Sequence, residues 1–161
     1  MFAKIFLVTT LLMTFGNPSE TKSTYHKEYY QTGITKAEGW LHQGAKTGYW
    51  KFYHKNGKVS GQGHYKNGQR IKYWHFYNQH RVRTKEGHYQ NGKKTNWWLF
   101  YDNYGRIHHK CQFNAGIKNG YCLQYMNDEL TSARRYQNGK KVKEWFNFSS
   151  FRRDNNLSDL R

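Results

Sequence analysis

The sequence predicts an all-β protein, an elongated single-layer antiparallel sheet of tandem β-hairpin repeats of about 24 residues each. Three observations predict it. Gly44, Gly68, Gly92 and Gly116 stand 24 residues apart, as do Trp50, Trp74 and Trp98, and a fixed period of this length marks a repeat architecture. Polar turns containing Asn-Gly recur between aromatic runs, the signal for hairpins whose turn residues accept positive φ. Of the 161 residues 36% are hydrophobic, and more than half of that share is 14 Tyr, 10 Phe and 6 Trp. Such side chains suit pleated, half-buried surfaces rather than an oily globular core, and they argue against disorder despite the charge.

The elements follow in chain order. Residues 1–16 read as a secretory signal, with Lys4 as the charged start and Ile5 to Phe15 as an apolar stretch too short to span a bilayer. Thr14 and Gly16 suit a peptidase cutting before Asn17, and no lipobox cysteine follows. The competing reading is an N-terminal strand or anchor helix. Residues 17–24 form a short linker, and residues 25–148 hold the array. Phe52, Phe76 and Phe100 keep the period, as do Tyr53, Tyr77, Tyr101 and Tyr125, and one step back from Tyr53 lies Tyr29 in a partial first copy. Within a unit, the segments Gly63 to Tyr77 and Gly87 to Tyr101 read nearly alike: a short strand ending at Tyr65 or Tyr89, an Asn-Gly turn, then a strand of aromatics. A second turn around Asn56-Gly57 leads on, so one repeat is two strands. The last copy slips, since Asn138-Gly139 lies 23 after Ala115-Gly116 and Trp145 lies 23 after Cys122, which takes the fourth tryptophan place. About eleven strands at ~4.8 Å spacing span on the order of 50 Å. Each unit touches only its neighbours and the ends need caps. Residues 149–161, with Arg152, Arg153 and Asp154, read as a polar tail or small cap.

Gly48-Tyr49-Trp50-Lys51-Phe52-Tyr53 followed by Asn56-Gly57 resembles the MORN repeat family, in the variant with a Gly-x-Trp-x-x-Tyr core. The resemblance covers roughly residues 25–148 and rests on recurrence. Departures are Tyr73 and Trp97 in place of the glycine before the tryptophan, Arg81 at the Gly57 place, and Cys122 in place of the fourth tryptophan.

Strand alternation puts Trp50 and Phe52 on one face and Tyr49, Lys51 and Tyr53 on the other. Trp50, Phe52, Trp74, Phe76, Trp98 and Phe100 are expected to form the repeat core. The tyrosines Tyr49, Tyr53, Tyr73, Tyr77, Tyr101 and Tyr125 are expected to stay partly exposed and to bind a partner, with core packing as the competing role.

Lys and Arg total 27 against 10 Asp and Glu, a formal charge of +17, or +16 once Lys4 leaves with the signal. Such a field attracts polyanions. Lys66, Arg70, Lys72, Lys93, Lys94, Lys118, Lys140 and Lys141 gather near repeat turns and imply a stripe along one edge; solvation and protection of sheet edges account for the same residues. Export argues against nucleic acid, although a basic groove with aromatics suits single strands. The nine histidines show no ligand spacing; His64 and His88 only share a repeat place, and His108 and His109 are expected on opposite faces. No metal or cofactor is expected. The acidic residues are scattered, no nucleophile is partnered with a histidine, and no enzymatic activity is expected.

Cys111 and Cys122 flank one turn. With the hairpin centred between Gly116 and Ile117, they fall directly across from one another, which makes a disulfide feasible; two buried thiols are the other reading. The expected function is an exported scaffold that binds a protein or anionic envelope component, with no transmembrane segment in the mature chain. The resemblance implies two further possibilities. Proteins with this repeat variant are often labelled antitoxins, so neutralising a toxin is one, and peripheral binding to anionic membrane through the basic stripe is the other.

Overall fold

The computed structural model describes residues 22–156. The signal read over residues 1–16 lies outside them. Eleven strands follow in sequence: β1 (Thr24–Tyr29), β2 (Thr35–His42), β3 (Ala45–Tyr53), β4 (Val59–Lys66), β5 (Gln69–Tyr77), β6 (Arg83–Gln90), β7 (Lys93–Tyr101), β8 (Ile107–Asn114), β9 (Ile117–Met126), β10 (Glu129–Gln137) and β11 (Lys140–Trp145). They form one sheet in which spatial order equals chain order and neighbours run antiparallel, the layout expected when every connection is a hairpin.

Two kinds of turn alternate. The first is a two-residue turn at Gln43-Gly44, Asn67-Gly68, Asn91-Gly92, Ala115-Gly116 and Asn138-Gly139, with φ between 48° and 88° at both residues. This is the type I′ geometry whose twist matches that of paired strands. Each such turn also holds its neighbour: the amides of Gly68, Gly92, Gly116 and Gly139 donate to the carbonyls of Lys46, Arg70, Lys94 and Lys118 at 2.9–3.0 Å. The second kind is a five-residue loop, as at 54–58, closed by His54 N–H to the Lys58 carbonyl at 2.8 Å. Gly33, Gly57 and Gly105 take φ of 80°, 76° and 81° there, and Arg81 takes 69°, so the arginine keeps the glycine's conformation. The loop between β9 and β10 departs. Tyr101 pairs with Ile107, leaving five residues between, whereas Tyr125 pairs with Leu130, leaving four. The one-residue slip of the last copy arises in this turn.

A bulge recurs in the odd-numbered strands. On β4 the pairing advances two residues from Gln62 to His64 while on β5 it advances four, from His75 to Ile71. The extra residues surround Gly48, Lys72, Asn96 and Gly120, at φ of 64°, 60°, 58° and 103°. This corrects the alignment of the repeat: the counterparts of Gly48 are Lys72 and Asn96, and Tyr73 and Trp97 match Tyr49. The bulge also corrects the hairpin that holds the cysteines. Its turn is centred between Ala115 and Gly116, as Asn114 pairs with Ile117, and the two inserted residues restore the opposition of Cys111 and Cys122.

The core is a column on one face, here called the tryptophan face. Trp50, Trp74 and Trp98 are fully buried although only one sheet exists. Each indole lies flat over a glycine of the preceding strand, because a Cβ at Gly39, Gly63 or Gly87 would sit 2.4–2.6 Å from ring atoms. The indole N–H groups donate to backbone carbonyls, Trp50 to Trp40 and Thr47, Trp74 to His64 and Ile71, and Trp98 to His88. Phe52, Phe76, Tyr65 and Tyr89 fill the gaps between successive indoles with ring centroids 4.9–6.2 Å apart, separations at which aromatic pairs attract beyond their buried area.

Trp145 does not extend this column. It pairs with Ala133, which pairs with Leu123, and so belongs to the opposite face. There it meets Tyr121 and the buried Phe151. Phe151 comes from the helix α1 (Phe148–Asp154), whose cap Asn147 accepts from the Ser150 amide at 2.8 Å, and Asp154 accepts from the Trp145 indole at 3.0 Å. The segment after the array is therefore a helical cap on the end of the stack.

Candidate functional site

The register sorts the expected site residues onto two faces. Tyr49 pairs with His64 and Tyr73 with His88, and between them and the row Tyr53, Tyr77, Tyr101 and Tyr125 run Lys51, Gln62, His75, Glu86, Leu99 and Lys110. This tyrosine face is open to different degrees: Tyr49 is 40% exposed, whereas the other five tyrosines are half-buried. Their hydroxyls are largely engaged within the sheet. Tyr53 donates to Glu38 and Tyr101 to Glu86, Gln62 donates to Tyr77 at 3.4 Å, and the Tyr125 ring lies 5.8 Å from the Lys110 ammonium.

Glu86 is the one buried charged residue among the described residues. Burial pushes its carboxyl up, but hydrogen bonds from Tyr101 and His75 and the nearby Arg83 guanidinium outweigh that and hold it below the usual carboxylate range. His75 Nδ1 and Arg83 both lie 2.8 Å from its Oε2. Burial, with the Glu86 charge beside it, pushes the Tyr73 hydroxyl up to about 12. The cluster therefore fixes a carboxylate at neutral pH. The residues one period to either side of Glu86 are Gln62 and Lys110, but two periods back stands Glu38, which accepts from Tyr53 as Glu86 does from Tyr101; that step was the signal in the sequence that could have found it.

The tryptophan face presents a different surface. Lys46, Arg70, Lys94 and Lys118, one per repeat and 24 residues apart, lie over aromatic rings. The Lys46 ammonium is 4.1 Å from the Trp50 ring centroid, the Arg70 guanidinium 4.7 Å from Trp74, the Lys94 ammonium 4.5 Å from Trp98, and the Lys118 ammonium 5.0 Å from Tyr136. Each cation roofs a ring while its carbonyl accepts from the next turn, so backbone bonding sets the spacing of the row. Lys85 joins it, 5.1 Å from Phe76. Burial first, then the nearby Lys85 and Lys118, push the Lys94 ammonium down. From β3 to β9 the strands hold one carboxylate, Glu86, and it lies on the other face. Glu28 pairs with Lys46 at 3.0 Å at one end of the sheet and Glu144 with Arg134 at 2.6 Å at the other. The sequence reading found Arg70, Lys94 and Lys118 as turn residues; it missed Lys46, which the 24-residue step from Arg70 identifies.

Cys111 and Cys122 are paired across β8 and β9, with Cα atoms 4.0 Å apart and sulfurs 2.10 Å apart. His108 and His109, expected to point apart, have their Nδ1 atoms 2.8 Å apart, because the exposed His108 ring swings back to its neighbour. Among the described residues no three His, Cys, Asp or Glu side chains gather in a way that would hold a metal, and no helix among them is long and apolar enough to cross a membrane.

No family model and no curated protein matches the chain. Solved structures are similar to it at low levels. The structure of accessory secretory protein 1,2 and 3 in Streptococcus pneumoniae is 9% identical, covering 79% of this chain and 22% of that one, with TM-score 0.35. The GtfA/B complex is 12% identical over 88% of this chain and 23% of that one, with TM-score 0.33. A mutant of S. aureus TarM in complex with Fondaparinux, alpha-GlcNAc-glycerol and UDP is 12% identical over 78% and 21%, with TM-score 0.29. The chain thus spans about a fifth of the length of each. Because these chains are glycosyltransferase-related, the expectation that this protein has no enzymatic activity is corrected and dropped. Likeness at this level assigns no activity to it either.

Proposed function

We propose that this chain is an exported, MORN-like binding scaffold whose partner is an acidic protein segment laid along the tryptophan face. The observation that carries the reading is the row Lys46, Arg70, Lys94 and Lys118, one cation per repeat in the same place in each unit, on the stretch of face from β3 to β9 that has no strand carboxylate. Two strands separate successive members, so the charges recur at roughly 10 Å. That spacing lies near the screening length at physiological salt, where neighbouring charges act together on an extended polyanion. Over the same stretch the tyrosine face holds the buried Glu86, whereas the carboxylates of the tryptophan face, Glu28 on Lys46 and Glu144 on Arg134, lie toward its ends. Export is supported by the bonded pair Cys111 and Cys122, which suits an oxidising compartment.

The test is binding of poly-L-glutamate, followed by tryptophan fluorescence across a salt series. The expected result is an affinity that falls as salt rises and drops at least tenfold when Arg70, Lys94 and Lys118 are changed together to Gln. Lys51→Gln, on the tyrosine face, is expected to leave it unchanged. Equal affinity for the parent and the triple variant would refute the proposal.

A further inference from the structure

The tryptophan column is interrupted in the fourth unit, and the interruption is lined for a ligand. In the first three units a glycine and an indole share each place, as Gly39 with Trp50, Gly63 with Trp74 and Gly87 with Trp98. One period further along the chain these positions are Cys111 and Cys122. The disulfide replaces both members of the pair, and two sulfurs fill far less space than an indole. A cavity of about 210 Å³ stands there, lined by both cysteines, His109, Gln124, Lys118 and Arg134, with Tyr136 completing the wall.

The walls are flat and the rim is basic. The His109 imidazole stacks on Phe100 at 4.3 Å with 8° between the planes, which continues the aromatic column to the edge of the cavity. Lys118 occupies the place that Lys46 and Lys94 take above an indole, but no indole lies beneath it. It makes no ion pair among the described residues. Arg134 donates to Glu144 at 2.6 Å and to Gln124 at 3.3 Å, so a carboxylate shares this rim and offsets one of its cations. Lys118 and Arg134 against Glu144 leave the rim with a positive excess, and burial first, then His108, Lys118 and Arg134, push His109 down to about 4.

We infer that this cavity is a binding site for a small aromatic carboxylate, a flat ring of about indole size bearing one negative group. The ring takes the place of the missing indole against the sulfurs, His109 and Tyr136, where aromatic and sulfur contacts contribute. The carboxylate meets Lys118 in a charge-assisted hydrogen bond. This site shares Lys118 with the row proposed above but rests on the cavity, so filling the cavity abolishes it while leaving the row in place.

Titration of the isotope-labelled, disulfide-bonded full chain with indole-3-acetate tests it, with acetate and tryptamine as parallel probes. Saturable amide shifts at Cys111, Cys122, Gln124 and Arg134 are expected with indole-3-acetate, at an affinity at least tenfold above either control. Changing Cys111→Gly together with Cys122→Trp rebuilds the pair used by the other units and fills the cavity, so the shifts are expected to vanish. Should that variant fail to fold, Lys118→Gln keeps the cavity and is expected to weaken binding about tenfold. The proposal is overturned by shifts that do not saturate, by shifts that map elsewhere, by equal binding of acetate, or by undiminished binding in Lys118→Gln or the filled variant.

Discussion

Gly63→Ala tests the packing that holds the sheet together. The added methyl would stand 2.4 Å from both Cδ2 and Cε2 of Trp74, whereas carbon atoms pack at about 3.5–4.0 Å. The indole must therefore retreat by roughly 1 Å, and it has nowhere to go: Trp74 is fully buried, and its N–H is shared between the His64 and Ile71 carbonyls at 3.2 Å each. Overpacking of this kind costs about 1–3 kcal/mol, and loss of the indole hydrogen bond adds about 1 kcal/mol. The expected destabilisation is on the order of 2–4 kcal/mol, read as a shift of the urea midpoint at constant slope. A double-mutant cycle isolates the cause. Where Trp74→Ala has already emptied the site, Gly63→Ala is expected to cost nothing measurable, and relief of glycine's backbone entropy makes it slightly favourable. If Gly63→Ala alone shifts stability by less than about 0.5 kcal/mol, or costs the same in both backgrounds, the stacking of indole on glycine is not what fixes the sheet.

Three further outcomes follow from the same geometry. Trp74→Ala should cost about 3–5 kcal/mol and Tyr77→Phe about 1 or less, since the first empties a buried column place and the second removes a hydroxyl whose Gln62 contact is 3.4 Å long; equal losses in melting temperature would mean the faces are misassigned. Reducing the disulfide should speed amide exchange in β8 to β11 before β1 to β5, because the bond closes a separation of 11 residues inside a stack whose units feel only their neighbours, with an entropic contribution of at most about 3 kcal/mol. Glu86, with its folded pKa depressed, binds more protons unfolded than folded, so its stabilisation is full above the unfolded value and is lost as pH falls through the folded one; Glu86→Gln should flatten the acid limb of the stability curve, and an unchanged limb would show that the cluster does not contribute.

Much of this protein was legible in the residues because hairpin turns and repeat spacing are local facts. Asn67-Gly68 and Asn91-Gly92 demand positive φ wherever they occur, and the recurrence of tryptophan, phenylalanine and tyrosine at one step fixes which side chains share a face as long as the alternation is regular. The eleven-strand stack and the division of Trp50 and Phe52 from Tyr49 and Tyr53 follow from that alone. What only the tertiary structure decided depends on contacts between units. The bulge at Gly48, Lys72, Asn96 and Gly120 falls on three residue types, Lys72 among them, so no single letter marks it in the sequence, and it recurs in β9 although the fourth unit has no indole. Trp145 kept the letter of the repeat but crossed to the other face because the bulge of β11 inserts one residue, between Lys141 and Lys143, where β5 and β9 insert two, and the helix that buries Phe151 against it answers the exposure of the last strand. The cation row was visible only in part, because Lys46, Arg70, Lys94 and Lys118 acquire a common role through the rings beneath them, and those rings come from neighbouring strands as well as from their own. The cavity beside Cys111 and Cys122 is the extreme case, since a void is defined by the side chains that surround it and has no residue of its own to be read.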